Sequence, residues 1–538
     1  MTPREGAALS IGDLRLGWRF LRGLPGFLKH PWELDEARDA IRLRLERRGA
    51  RFLAMMARAV YGNPVSPYRA LLTHSGCTQG DLVRLVERDG VEGALQTLAR
   101  EGVYLTVEEL KGRRPVRRGG LTIDAGPDRL RNPGARGHLA LRSGGSRGIS
   151  ASMVVDLDFM RETNANHRVG LAARDGEKWV HAVWDVPGGA ALIRVLRLTG
   201  IGAAPMRWFS QIDPADGGLH PRYRWAPRVL RWGSLVAGVP IPAPVHAPLS
   251  DPLPVVRWVA DELGAGVVPH LVTTVSAGLR LVDAARTARV PLDGLEVTIS
   301  GEPITEARLA VFRRAGVRAT PSYGSSDTGT AMGYGCLQPR SPDEMHLFDD
   351  LFAVIQPDPE AVRPGLRPSA LLFTSLGAAA PLILVNVTLG DQAVLVNRAC
   401  GCEIERIGWT RHLHTVRSFE KLTVGGMNLL DEDLIWILDE MLPSRFGGSA
   451  THYQVIEEQG PDGQPRLRLL ADPAIGPLDH DALADAFLEA VSRGSGIDRI
   501  TALTWKQGGM LTVERRAPES TRGDKILHLV SRSPRGDG

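Results

Sequence analysis

The stretch from Leu295 to Gly329 limits this chain to few architectures. Leu295-Glu296-Val297-Thr298-Ile299-Ser300 alternates apolar and polar residues at the strand period. Gly301-Glu302-Pro303 interrupts the alternation, and the pattern predicts a helix over residues 304–315. A second short strand, 317–320, then runs into a loop, Pro321-Ser322-Tyr323-Gly324-Ser325-Ser326-Asp327-Thr328-Gly329. Strand, helix and strand at this spacing form an α/β unit. Ligands of open α/β sheets bind at the carboxyl ends of the strands, where both loops would lie. Backbone N–H groups in such loops suit phosphate, the hydroxyls suit a nucleotide, and the Asp327 carboxylate suits a metal ion. An ordinary turn has the same composition, so the rest of the chain must decide.

A chain of 538 residues exceeds one compact core, and two or three domains are expected. No run of eighteen apolar residues is present, so no spanning helix is expected. Residues 1–13 have no basic start followed by an apolar core, and four cysteines do not make a disulfide scaffold; a cytoplasmic protein is expected. The net charge of +4 is uneven: residues 1–70 hold 13 Arg/Lys against 7 Asp/Glu, so the remainder is slightly acidic. That balance argues against nucleic acid as a partner of the main body. Only six residues are lysines, which gives weight to any lysine at a motif position.

Residues 11–60 read as helical. Leu14, Trp18, Phe20, Leu21, Leu24, Phe27 and Leu28 mix with Arg15, Arg19, Arg22 and Lys29, a basic amphipathic pattern. It suits weak contact with an anionic membrane surface, or packing on the domain behind it. Pro25 and Pro31 argue against one long helix, and residues 33–61 make a second. Further on, a strand at 139–142 precedes Ser143-Gly144-Gly145-Ser146-Arg147-Gly148-Ile149-Ser150, a loop whose N–H groups could wrap phosphate, with Arg147 to meet it. Residues 179–184 and 267–274 read as strands, 189–198, 254–264 and 276–289 as helices, and 235–254 as a surface loop. His270 reads as structural.

Cys336 and His346, with nine residues between them, precede Cys400-Gly401-Cys402. Four N/S ligands in a closed set make a structural zinc site, and buried free cysteines are the alternative. Strands at 371–376 and 381–387 lead to Gly390-Asp391, whose carboxylate can accept two hydroxyl hydrogen bonds. Beyond Arg417-Ser418, a helix (431–442), two strands around a Gly-Pro-Asp-Gly turn and a helix (480–493) form a small α+β unit. Arg522-Gly523-Asp524-Lys525 lies near its end.

In this order the motifs resemble those of the adenylate-forming enzymes, and among them the phenylacetate-CoA ligase branch. Gly301-Glu302-Pro303, then Tyr323-Gly324 with Asp327, are similar to the family's Gly-Glu-Pro and Tyr-Gly-x-x-(Glu/Asp). The loop at 143–150 resembles Ser-Ser-Gly-Thr-Thr-Gly-Lys-Pro, with Arg147 where Thr is usual and Ile149-Ser150 in place of Lys-Pro. Gly390-Asp391 resembles the ribose-gripping Arg-Thr-Gly-Asp. Arg417-Ser418 resembles the interdomain hinge, with Phe419 replacing its first Asp, and Lys525 resembles the terminal adenylation lysine. Cys336, the His346-Leu347-Phe348-Asp349-Asp350 run and Cys400-Gly401-Cys402 also have counterparts in that branch.

The resemblance covers roughly residues 64–530 and implies an α/β fold. It implies a helical extension (1–63), a large αβ-layered adenylate-forming domain (64–416) and a small mobile α+β cap (417–538). It implies ATP-dependent activation of a carboxylic acid and, with CoA as acceptor, an AMP-forming CoA ligase. Lys525, Asp327, Ser146 and Arg147 would be catalytic. Ser143, Gly144, Gly145, Gly148, Gly301, Glu302, Pro303, Ser322, Tyr323, Gly324, Ser325, Ser326, Asp391 and Arg417 would bind the nucleotide. Asp327 would hold Mg²⁺, and Cys336, His346, Cys400 and Cys402 would hold zinc. A carrier protein, a protein thiol or an amine is the alternative acceptor. The departures in the loop and hinge also allow a degenerate member that only binds.

Overall fold

Helix α1 (Ile11–Lys29) opens the described part of the chain. The computed structural model describes residues 11–135, 139–142, 152–186, 189–213, 221–325, 327–358, 366–418, 423–424, 427–428, 431–459, 465–493, 502, 505–506, 509–521 and 525–532. α1 passes through Pro25, contrary to the expected break, and ends before Pro31, where the residue preceding proline is steered out of the helical region. The single helix expected over 33–61 is interrupted at Arg47, whose φ of −99° separates Leu34–Glu46 from Arg48–Met55.

The centre of the molecule is a twelve-stranded sheet. Its strands in chain order are β1 (Val180–Asp185), β2 (Arg207–Ser210), β3 (Pro244–His246), β4 (Pro269–Thr274), β5 (Glu296–Ser300), β6 (Arg318–Ser325), β7 (Thr330–Gly335), β8 (Met345–Leu347), β9 (Phe352–Ile355), β10 (Ala370–Ser375), β11 (Val387–Asn397) and β12 (Arg411–Ser418). Across the sheet they run β9-β10-β11-β12-β8-β7-β6-β5-β4-β1-β2-β3. The stretch from β3 to β6 is parallel, and the rest is antiparallel. Helices α2 (Gly189–Gly200), α3 (Pro221–Val236) and α4 (Glu306–Arg314) belong to the parallel half.

The α/β unit at 295–329 forms as expected, with one change. Pro321–Ser325 continues β6 and pairs with β7, so the turn is confined to the residues before Thr330. Gly324 is required there: a Cβ would stand 2.9 Å from the Thr330 carbonyl oxygen. The polar positions of β5 are buried rather than solvated. Glu296 pairs with Arg174 at 2.7 Å, and Thr298 Oγ1 lies 2.8 Å from His270 Nε2 and accepts from Arg174 at 3.0 Å. A strand covered on both faces needs such partners, because an unpaired polar group there is expensive. His270 is thus structural. Its Nδ1 lies 2.9 Å from His181 Nδ1, and burial pushes His181 down to about 4.

Two other expectations are corrected. Residues 381–386 are not a strand: Leu382 bridges Arg131, Asn386 turns at φ +50°, and the strand starts at Val387. Gly390-Asp391 therefore lies within β11. The loop expected over 235–254 contains β3, the sheet's edge strand, and the end of α3.

The C-terminal unit begins with α5 (Asp431–Trp436), continued by a π turn, Ile437–Met441, and a helix, Leu442–Phe446. Strands β13 (Tyr453–Gln459), β14 (Pro465–Ala471), β15 (Leu511–Arg515) and β16 (Leu529–Arg532) form a sheet of order β15-β14-β13-β16, packed by α6 (His480–Val491). Its core joins Leu438, Tyr453, Leu469, Phe487 and Trp505. The architecture is α/β, a large mixed sheet with a small α+β unit, as expected from the sequence.

The C-terminal unit meets the large sheet through a buried lock. The fully buried Arg308 of α4 places Nε 3.1 Å from Asp439 and Nη2 3.0 Å from His528 Nε2, and Thr305 donates to Asp439 at 3.0 Å. Burial pushes the Asp439 carboxyl up, but Arg308, His528 and Thr305 together hold it below the ordinary range.

Candidate active site

The parallel strands lie in the order 3-2-1-4-5-6, so the chain reverses direction across the sheet between β1 and β4. A crevice opens outside the carboxyl ends at such a point, and ligands bind there. β1 ends at Asp185, β4 at Thr274 and β5 at Ser300. Arg194 of α2 reaches over these ends, 2.7 Å from Asp185 Oδ2, and donates to Ser300 Oγ at 2.8 Å. Gly301 then turns the chain at φ +84°, a left-handed conformation that favours glycine.

Lys525 enters this place from the C-terminal unit. A Cβ on Gly301 would stand 2.7 Å from Lys525 Nζ, so the missing side chain is what admits the ammonium. The residues beside the lysine fix its backbone: Ser520 bridges Ile526, and Thr521 N–H donates to the Lys525 carbonyl at 2.9 Å. Burial lowers the Lys525 pKa, with Glu302 and Asp185 pulling it up and Arg194 pushing it down. Some 220 residues of sequence thus separate groups that share one crevice. Asp185 and Arg194 were not found from the sequence. Their signal was a strand ending on an acid, followed by Gly188-Gly189 and a helix carrying arginine.

A second cluster surrounds the turn after β6. Tyr323 donates its hydroxyl proton to Asp391 at 2.8 Å, and burial with the Asp391 charge raises the phenol well above its ordinary range. Asp391 pairs in register with Ser418 and Gln392 with Arg417, so the Gly-Asp and Arg-Ser motifs are strand neighbours. Arg417 donates to Asp343 at 3.2 Å, and Asp343 also accepts from the Thr415 and Val416 N–H groups, which fixes the end of β12. Ser325 Oγ accepts from Asp327 N–H at 3.2 Å. Glu302 turns its buried side chain to within 3.5 Å of Arg308, and the Pro303 carbonyl accepts from Arg308 at 3.1 Å. Ser322 sits in the β6–β7 ladder opposite Tyr334. Ser143, Gly144, Gly145, Ser146, Arg147, Gly148 and Ser326 lie outside the described residues, as does Phe419.

Asp327 does not offer a free carboxylate. Lys111 Nζ donates to both of its oxygens, at 2.7 and 2.8 Å, and the pair is largely shielded, at 23% and 13% exposure. A magnesium ion binds carboxylate oxygen at about 2.0–2.1 Å, which would set it against the ammonium. In this arrangement Asp327 does not fit a magnesium ligand.

A third cluster lies behind the antiparallel half. One ligand atom each from Cys336, His346, Cys400 and His412 lie within 4.8 Å of one another, and all four residues are buried. Cys400 Sγ is 3.6 Å and Cys402 Sγ 3.3 Å from His346 Nε2. Ligands about 2.0–2.3 Å from a tetrahedral zinc stand roughly 3.5 Å apart, so these spacings suit the edges of one tetrahedron. His346 Nδ1 donates to the Trp409 carbonyl at 2.6 Å and His412 Nδ1 to that of Thr410 at 3.1 Å, which leaves each Nε2 as an acceptor. His412 Nε2 is buried with no hydrogen-bond partner. A carbonyl behind the ring and a bare nitrogen in front is how metal-bound histidines are oriented. The four residues expected from the sequence are brought together, and His412 joins them as a fifth. It occupies the β12 position opposite His346, which no sequence spacing marks.

No protein-family model and no curated protein matches the chain. Solved structures similar to it include McyG A-PCP complexed with phenylalanyl-adenylate (12% identity, 73% of this chain and 65% of that one, TM-score 0.42). Others are ATP-bound MatB from Rhodopseudomonas palustris (13%, 76% and 68%, 0.42) and the amide bond synthetase McbA from Marinactinospora thermotolerans (11%, 96% and 98%, 0.42). The chain spans just under two thirds of the length of McyG A-PCP.

Proposed function

We propose that this protein activates a carboxylic acid with ATP, releasing pyrophosphate and holding an acyl-adenylate that an acceptor thiol then consumes. The reading follows the phenylacetate-CoA ligase resemblance, with CoA as acceptor and residues 417–538 turning as a cap on residues 64–416. The observation that carries it is Lys525, inserted beside Gly301 at the carboxyl-end crevice between two parts of the chain. In the attack of a carboxylate oxygen on the α-phosphorus, negative charge builds on the phosphate oxygens. A desolvated ammonium fixed in advance at that point stabilises the charge without reorganising. Asp391 would accept the ribose hydroxyls, exchanging its bond from Tyr323 for bonds from the nucleotide. Arg417 and Asp343 would hold the strand end from which the cap turns. Gly301 keeps the lysine's approach open.

The test is ATP–pyrophosphate exchange over a panel of aliphatic and aromatic carboxylic acids. The expected result is acid-dependent exchange with at least one of them, and transfer to CoA when CoA is added. No exchange with any acid overturns the reading and leaves a binding protein.

Nucleotide enzymes of this chemistry use magnesium, which would neutralise the phosphates; no step here is assigned to it through Asp327. The Lys111–Asp327 pair supports a cation site already filled by the protein's own ammonium. Magnesium alone should therefore not shift the melting temperature of the wild type. In Lys111→Met it should raise it, by about 1.4 kcal/mol of apparent stability at ten times the dissociation constant. Equal shifts in both proteins would place magnesium elsewhere.

We further assign zinc to the Cys/His cluster, held by Cys336, His346 and Cys400 with His412 or Cys402 as fourth ligand. Four protein ligands and deep burial leave no open position, so the ion's role there is structural.

A further inference from the structure

Helix α3 is apolar on both sides. Its inner face carries Leu230 and Gly233, against Leu24 of α1, and a Cβ on Gly233 would stand 2.8 Å from Leu24 Cδ2. Its outer face carries Trp225, Val229, Trp232, Leu235 and Val236 at helical spacing, and the two tryptophans are 60% and 63% exposed. Trp18 of α1 is exposed as well. Among the described residues, six of the twelve exposed large apolar side chains fall on these two helices, which makes a patch rather than a scatter. A helix that is hydrophobic all round is normally buried all round. Among the described residues, this one has a partner on one side only.

The charge on the two helices says what the partner is. Together α1 and α3 hold eight Arg/Lys and one Asp, while the whole chain is only +4, so the rest of the molecule is net negative. Arg228 lies among the outer residues of α3, its guanidinium 5.5 Å from the Trp225 ring centre. Tryptophans standing out of a helix with Arg228 between them match the interface of a bilayer: rings at headgroup depth, cations on anionic headgroups. Neither helix is long and apolar enough to cross a membrane. We propose that α1 and α3 form one docking face for an anionic membrane surface, with α3 lying in the interface plane. The face is independent of the crevice chemistry and stands or falls without it.

The test is co-sedimentation of the full chain with vesicles of phosphatidylcholine alone and of phosphatidylcholine mixed with phosphatidylglycerol. Binding should occur with the anionic vesicles and weaken with added salt. Trp225→Ser/Trp232→Ser should weaken it at least tenfold with an unchanged melting temperature. Arg228→Glu should weaken it while leaving both rings in place. Failure to bind anionic vesicles overturns the proposal, as does equal binding to neutral ones or binding that the double variant leaves intact. A lowered melting temperature in the double variant means the rings are packed rather than free and also overturns it. So does a dimer, by light scattering, that the double variant dissociates, because a second copy then covers the face.

Discussion

Lys525→Ala should lower the rate of acyl-adenylate formation by on the order of a hundredfold or more, the range found when one prearranged charge-stabilising donor is removed. Stability should change by no more than about 1 kcal/mol. The neighbours explain why the two effects separate. Asp185 keeps Arg194 at 2.7 Å and Glu302 keeps Arg308 at 3.5 Å, so neither acid is left alone when the ammonium is removed. Transfer from preformed acyl-adenylate to the acceptor should be spared. Single-turnover assays of the two half-reactions decide. Equal slowing of both would point to a disturbed C-terminal unit. Normal rates in both would remove Lys525 from the chemistry. Gly301→Ala gives an independent check, because its methyl would occupy the lysine's place and strain the φ of +84°. It should slow the first half-reaction while Lys525 itself is intact.

The zinc assignment carries the second large effect. Protein purified without added metal should contain about one zinc per chain. Cys400→Ser should lose most of it, and the melting temperature should fall by on the order of 10 °C, because a structural ion contributes its binding energy to folding. Four freely titrating thiols in native, metal-free protein would refute the site. His412→Ala and Cys402→Ser identify the fourth ligand: the variant that loses metal names it. Cobalt substitution gives a second reading, since the thiolate-to-metal absorption scales with the number of sulfurs bound.

The strands and helices that alternate cleanly in the sequence were legible, and so was the order of motifs along it. Residues 296–300 became a strand and 306–314 a helix because Gly301 and Pro303 punctuate them. Three kinds of feature were not legible. Pairing across long separations hides from local pattern: Lys111 meets Asp327 over 216 residues, and His412 joins His346 only through the β8–β12 register. Buried polar groups counterfeit a solvated face, as Glu296 and Thr298 do in β5. Helix α3 holds four arginines and passes through Pro227, which in the sequence reads as a break rather than as a helix interior. Asp391 was legible as a motif but not as a strand residue, since the left-handed turn at Asn386 that sets the start of β11 has no glycine to announce it.

The lock at Arg308 bears on timing. If the C-terminal unit turns as proposed, parting it from the large sheet would bare a guanidinium and a carboxylate together, a cost that favours the shut form in the free protein. A ligand that suits the shut form finds it waiting. One that needs the parted form meets only the fraction of molecules already there, and its apparent dissociation constant rises by the reciprocal of that fraction: about a hundredfold if one molecule in a hundred is open. The two affinities are then set apart by population alone, without either ligand touching the other.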